Sequence, residues 1–229
     1  MSFYSNKRLG ILAAVPDEVK SILNNPKFKW EKLKPHFYKS PQNIYLIMTE
    51  IGKAYAVHGV SQLLPLCDEI LMLGTSGGLG DEEVGSLYLS TEFVEHDMDA
   101  TGLGCPPGVT PFSKMKNAVI SNPNPETVNF FKNTLLSMKL HFHEGRTISG
   151  DQFLNNAEVS KAKRNLFKAQ LVDMESASVA KICIKENKPF MALRYVTDNA
   201  NHEAHTSWEE NVKKSSILFN QILEKIYFG

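Results

Sequence analysis

The chain has 229 residues, with 25 Lys plus Arg against 25 Asp plus Glu and a formal net charge of zero. That balance, without a block of like charge, argues against nucleic acid or an anionic membrane as a partner. No run of about 18 uncharged apolar residues suggests a membrane span or a signal peptide. Three cysteines, Cys67, Cys105 and Cys183, sit far apart without a C-x-x-C pair. Neither a disulfide framework nor a cysteine zinc site is expected, and the compartment indicated is a reducing cytoplasm. The length is sufficient to bury a substantial core.

Residues 9–15, Leu-Gly-Ile-Leu-Ala-Ala-Val, form a short continuous apolar run, as expected of a strand covered on both faces. Pro16, Asp17 and Glu18 then open a helix, with acids in a first turn where the dipole favours negative charge. Glu18 is either a helix-dipole acid or a site residue at the strand's exit. Residues 44–49 predict a second strand or hairpin arm, followed by Gly52-Lys53 and a helix over 54–66. Gly52-Lys53 lacks the preceding glycines of a phosphate loop, so an ATPase is rejected. A third buried strand over 69–73 opens into Gly74-Thr75-Ser76-Gly77-Gly78-Leu79-Gly80, read as a loop able to bring backbone N–H groups close to a ligand. It does not match G-x-G-x-x-G, which argues against a dinucleotide fold.

Residues 84–94 predict a further strand leading to His96-Asp97-Met98-Asp99. Neither this cluster nor His202-Glu203-Ala204-His205 has the ligand spacing of a metal site, and no metal or cofactor is expected. Residues 102–113 form a glycine- and proline-rich loop of a kind that often carries functional or interface roles. A helix is expected over 124–140, with Val128, Phe131, Leu135 and Met138 on one face. A short strand and turn follow at 146–154, exposing Phe153. Residues 170–175 read as a short strand entering a small-residue helix at Ser176. Residues 190–198, Phe-Met-Ala-Leu-Arg-Tyr-Val-Thr-Asp, form an apolar run that ends in Arg194, Thr197 and Asp198. That is the carboxyl end of a buried strand, where α/β sheets bind ligands. Residues 207–227 close the chain as an amphipathic helix. With no internal repeat or linker, the reading is α/β, a single domain over 1–229, built as a three-layer fold with a central mixed, twisted sheet flanked by helices.

Seven motifs, in this order, resemble the 5'-methylthioadenosine/S-adenosylhomocysteine nucleosidases of the purine nucleoside phosphorylase-like superfamily. They are Gly10-Ile11-Leu12-Ala13-Ala14 with Glu18, Ile51-Gly52-Lys53, Gly74-Thr75-Ser76-Gly77-Gly78, His96-Asp97-Met98-Asp99, Ser149-Gly150-Asp151-Gln152-Phe153, Asp173-Met174-Glu175 and Arg194-Tyr195-Val196-Thr197-Asp198. The resemblance implies hydrolysis of the N-glycosidic bond of 5'-modified adenine nucleosides. By it, Asp198 is the acid that protonates purine N7 and Glu18 the base that activates water. Thr75 and Arg194 lie near that water, and Met174 and Glu175 hold the ribose. Phe153 stacks on adenine, Leu154 reads its Watson–Crick edge through the backbone, and Thr197 supports Asp198. Val15, Ile51, Leu103 and Trp208 fall where the 5' substituent is lined. A homodimer is also implied, in which a loop of one subunit closes the other's 5' pocket, with 102–113 as the loop here.

The sequence departs from that pattern at Thr75, where serine is more usual, and at Asp173, in place of a glutamate. Leu103 replaces a frequent aromatic residue, and Val15-Pro16-Asp17 replaces the usual methionine and acids. Two rivals stay open. Phosphorolysis in the same superfamily needs donors or cations for phosphate, whereas the first loop offers Asp17 and Glu18, and Met72 stands where related hexameric phosphorylases carry arginine. A nucleoside-binding protein that has lost catalysis would keep the fold.

Overall fold

The structure, a computed structural model, describes residues 3–4, 6–201 and 204–229, with 204–207 described by backbone alone; the His202-Glu203-Ala204-His205 cluster therefore lies outside the described residues. Four apolar segments form its centre. Strands β1 (Leu9–Ala13), β4 (Ile44–Met48), β5 (Glu69–Gly78) and β9 (Phe190–Asp198) run parallel in the order β4-β1-β5-β9. Their largely apolar sequences follow from cover on both faces. In β1, Leu9 and Ile11 enter one core while Leu12 enters the other; β9 does the same, with Met191 and Leu193 against Phe190 and Ala192.

Helices α1 (Pro16–Leu23), α3 (Pro125–Ser137) and α6 (Ala204–Phe228) cover the first face, contributing Ile22, Phe131 and Phe219. Helices α2 (Lys53–Leu63) and α5 (Ser176–Lys185) cover the second, with Val60, Leu63 and Cys183. The mixed, helix-flanked sheet expected from the sequence is therefore present. No helix among the described residues is long and apolar enough to cross a membrane.

The sheet also closes on itself. Strand β9 pairs antiparallel with β6 (Leu87–Glu95), β6 parallel with β7 (Phe142–Ser149), and β7 parallel with β8 (Leu171–Asp173). The tip of β5 completes the ring by pairing antiparallel with β8, Gly77 opposite Val172. Helix α4 (Ala157–Phe167) packs Phe167 with Val94, Ile148 and Leu154 at this end.

Three elements differ from the sequence reading. The 74–80 segment is not a loop, because β5 runs through Gly78 and pairs with β9 as far as Asp198. Its glycines supply space rather than unusual torsion. None of Gly74, Gly77 and Gly78 has positive φ, but a Cβ on Gly74 would collide with the Arg194 guanidinium and come within 2.9 Å of Glu18 Oε1. Helix α4 has no counterpart in the sequence reading, although Asn156 caps it by accepting from the Glu158 and Val159 N–H groups. A hairpin of β2 (Glu31–Lys34) and β3 (Phe37–Ser40) also extends the edge beyond β4. All four residues of β2 are exposed, so no buried face marks it in the sequence.

Gly10 lies in β1 against the turn that follows α2. An added Cβ would come within 2.7 Å of Ile70 Cδ1 and 2.9 Å of Cys67 Sγ. Gly10→Ala should overpack this contact and lower stability by about 1–3 kcal/mol. Urea unfolding would register it as a lower midpoint at unchanged slope.

Candidate active site

The carboxyl ends of β1, β5, β8 and β9 surround a cavity of about 280 Å³, near the lower end of small-molecule sites at ~300–1,000 Å³. Its wall is formed by Ala14, Val15 and Glu18, by Thr75, Ser76 and Gly77, by residues 172–175, and by Thr197 and Asp198. Ile51, residues 152–154 and Trp208 complete it. Segments more than 100 residues apart meet here because β1, β5 and β9 are neighbours in the sheet.

Glu18 is the third residue of α1, and its carboxylate turns back onto the helix start. Oε2 accepts from the N–H groups of Ala14 at 3.0 Å and Val15 at 3.2 Å. Oε1 accepts from the Thr75 N–H at 2.8 Å and hydroxyl at 3.1 Å. Burial pushes the Glu18 carboxyl above its ordinary value, while the Thr75 and Val15 bonds and the facing Arg194 guanidinium pull the other way. Burial prevails, so the acid titrates above its usual range but is held, when ionised, by four donors and a nearby cation.

Asp198 terminates β9 and is 5% exposed. Its Oδ1 accepts from the Ala200 N–H at 2.9 Å, and its Oδ2 from the Thr197 hydroxyl at 2.9 Å. Ala200 takes a left-handed conformation, φ 47°, which turns its N–H back to the carboxylate. Burial raises this carboxyl as well, opposed only by those two bonds and by no cation among the described residues. The two acids therefore sit in different electrostatic settings, the arrangement that separates acid from base roles.

Asp173 and Glu175 occupy the β8–α5 junction, and a tight network fixes them. Asp173 accepts from Ser149, from the Ser176 hydroxyl and N–H, and from the Glu175 N–H, and pairs with Arg194 at 2.6 Å. Glu175 Oε1 accepts from the Gly52 N–H at 2.9 Å. Burial, with the neighbouring Asp173 carboxylate, raises the Glu175 carboxyl, and Arg194 opposes this. Arg194 itself is 1% exposed and does not line the cavity. Expected beside the cavity's water, it instead lies behind the wall, bonded to Asp173, Ser176, Met72 Sδ and the Thr75 carbonyl. Opposite Gly74 in the β5–β9 register, it has room to reach towards Glu18.

Of the remaining expected residues, Val15, Ile51, Phe153, Leu154, Met174, Thr197 and Trp208 are all on the wall. Phe153 is half-exposed at its rim and Leu154 buried. Leu103, 66% exposed in the single-turn 3-10 helix Thr101–Leu103, does not line this chain's own cavity. Ser76, Gly77, Gln152 and Val172 also line it and were given no role from sequence. Gln152 carried a signal by adjoining Phe153, whereas Val172 looks like any buried strand residue. His96 and Asp97 meet lysines: Lys163 Nζ lies 2.9 Å from His96 Nδ1, and Lys53 Nζ bonds Asp97 and Glu95.

The protein-family model of the phosphorylase superfamily matches residues 8–227. A solved structure of Helicobacter pylori 5'-methylthioadenosine nucleosidase, an aspartate-to-asparagine variant with 5'-methylthioadenosine in its active site, is 28% identical with a TM-score of 0.88. The match covers 96% of this chain and 98% of that one. Futalosine hydrolase of the same organism is 27% identical with a TM-score of 0.86, over 96% and 97% of the two chains. The Campylobacter jejuni 5'-methylthioadenosine/S-adenosylhomocysteine nucleosidase, at 23% identity and a TM-score of 0.87 over 96% and 98%, shares the fold. With the family match spanning nearly its full length, the chain belongs to the phosphorylase superfamily.

Proposed function

We propose that this protein, working as a single domain, hydrolyses the N-glycosidic bond of 5'-modified adenine nucleosides such as 5'-methylthioadenosine and S-adenosylhomocysteine, releasing adenine and the thioribose. The observation that carries the reading is the pair of buried acids on one cavity wall. Glu18 has four donors and a cation behind it; Asp198 has two donors and none. Neutral Asp198 donates its proton to purine N7 as the C–N bond breaks, so adenine leaves without full negative charge. Ionised Glu18 takes a proton from water as the water oxygen bonds the anomeric carbon. Passing a proton from Glu18 to Asp198 through solvent then restores both acids. Glu175 accepts from the ribose hydroxyls beside Met174, Phe153 stacks on the base, and the Leu154 backbone meets its edge. Val15, Ile51 and Trp208 enclose the 5' group.

Phosphorolysis is the second reading, and the cavity wall speaks against it. None of its described residues is Lys or Arg, the groups that usually bind phosphate. Met72 is buried and faces Arg194 rather than the cavity. The same two acids favour catalysis over binding alone. We also propose a homodimer, with the 102–113 loop closing the partner's 5' pocket, because that loop presents Leu103 at 66% and Phe112 at 100% exposure. An isologous pair is the commonest soluble assembly. A cytoplasmic location fits the three free thiols.

Adenine release from 5'-methylthioadenosine in phosphate-free buffer tests the reaction. The protein should turn over, and Glu18→Gln and Asp198→Asn should each lower kcat by about 10²–10⁴-fold. Turnover that requires phosphate and yields a sugar 1-phosphate would instead establish phosphorolysis; activity persisting in both variants would refute the assigned roles.

The pH profile follows from the burial of both acids. Activity requires Glu18 ionised and Asp198 protonated, so it should fall below an acid limb and above an alkaline limb. Since burial raises both carboxyls, both limbs of kcat/KM should lie above the ordinary values of 4.5 and 3.8. The two values belong to the pair as a whole. An acid limb at or below 4.5 would contradict the environment assigned to Glu18.

Sedimentation equilibrium at micromolar concentration should give twice the chain mass, and Phe112→Glu should shift it to the monomer. A wild-type monomer with full activity would remove the dimer from the mechanism.

A further inference from the structure

We infer that Trp208 is a positioning residue for Glu18: its indole N–H fixes the Thr75 hydroxyl so that the hydroxyl's one proton stays on the Glu18 carboxylate. The inference rests on the reading of Glu18 as the base. Trp208 Nε1 lies 3.1 Å from Thr75 Oγ1, and that oxygen lies 3.1 Å from Glu18 Oε1. An indole N–H can only donate, so Thr75 Oγ1 must accept from it. The hydroxyl is then free to donate in the other direction, and the carboxylate is there to receive it.

This relay matters because of what else Glu18 holds. Three main-chain N–H groups, of Ala14, Val15 and Thr75, donate to it and cannot turn away. The Thr75 hydroxyl is the single rotor in the set. Whatever sets that rotor decides whether Glu18 is held by four donors or three. The tryptophan comes from α6, which already packs on α1 through the Ser21 N–H donating to Ser216 Oγ, so the relay adds a bond from the last helix to the Thr75 position of β5. It also gives Trp208 a second task besides walling the 5' side, and a phenylalanine at this position could perform only the first. Among the described residues, the charged groups facing Glu18 from the other elements are Arg194 of β9 and Glu175 at the start of α5, and the Trp208 indole donates to Thr75.

Trp208→Phe separates the two tasks, because it keeps an aromatic wall and removes the donor. On 5'-methylthioadenosine, kcat should fall about three- to tenfold, the size of one neutral hydrogen bond. KM should stay within about twofold, since a lost hydrogen bond of this kind leaves the wall in place, and the acid limb of the kcat profile should move to higher pH. The same change made in a Thr75→Val background should produce no further fall in kcat, whereas in Thr75→Ser it should act in full. Equal loss in wild-type and Thr75→Val backgrounds, or a change confined to KM, would overturn the relay.

A second readout needs no substrate. The chain has two tryptophans, and Trp30 donates to the Ile22 carbonyl, so the Trp208 indole signal in an ¹H–¹⁵N spectrum is the one lost in Trp208→Phe. It should shift as Glu18 titrates and stop shifting in Glu18→Gln and in Thr75→Val. A signal that ignores pH in the wild type, or still moves in Glu18→Gln, refutes the relay whatever the catalytic results. A moving signal in a protein that cleaves no adenine nucleoside would sustain the relay and reject the proposed reaction.

Discussion

Arg194 is a guanidinium 1% exposed, reaching between strands to face three carboxyl groups: it pairs with Asp173 and acts at a distance on Glu18 and Glu175. The reach is possible because its register partner across β5 is Gly74, the one residue type that leaves room for the guanidinium to pass. Removing one partner of such a buried pair typically costs about 3–5 kcal/mol, because the survivor is left charged and unsolvated. Cavity wall, sheet centre and α5 junction therefore share one cation. The site is less a pocket added to a fold than the place where the sheet's own charges are balanced.

That shared cation also distributes protonation. Glu18 lies within its field and Asp198 outside it, so two acids raised by the same cause, burial, need not behave alike. Glu18 is further held by main-chain donors at a helix start, where the dipole favours an anion. The proposed reaction assigns leaving-group protonation to Asp198 and water activation to Glu18 on the strength of this asymmetry.

Much of this was legible in the sequence, and the physical reason is periodicity. β1 is an unbroken apolar run before Pro16, and β9 an apolar run broken only by Arg194 before its polar end, so their span and burial are readable directly, with Glu18 and Asp198 at their exits. The 74–80 segment reads as a loop in the sequence because glycine signals both turns and close approach, and only the position of Arg194 reveals which applies. Arg194 was placed at the cavity on resemblance; that its side chain points behind the wall depends on Ser176, Met72 and Asp173, which sequence spacing does not bring together. Leu103 enters through the resemblance alone, and its exposed place off this chain's own cavity has no periodic signal in the sequence. β2 and α4 have weak or absent buried faces, so their order derives from pairing and capping that no local pattern announces.

Helix α2 begins at Gly52, whose φ of 107° is a glycine conformation, and no side chain of its own caps it. The missing caps come from elsewhere: Glu175 takes the Gly52 N–H and Asp151 takes the Lys53 N–H. One borrowed carboxylate thus belongs to the cavity wall, and the other adjoins the turn that carries Gln152 and Phe153. Glu175 therefore both lines the cavity and closes the start of α2, so a substitution there alters the cavity wall and a helix terminus at once.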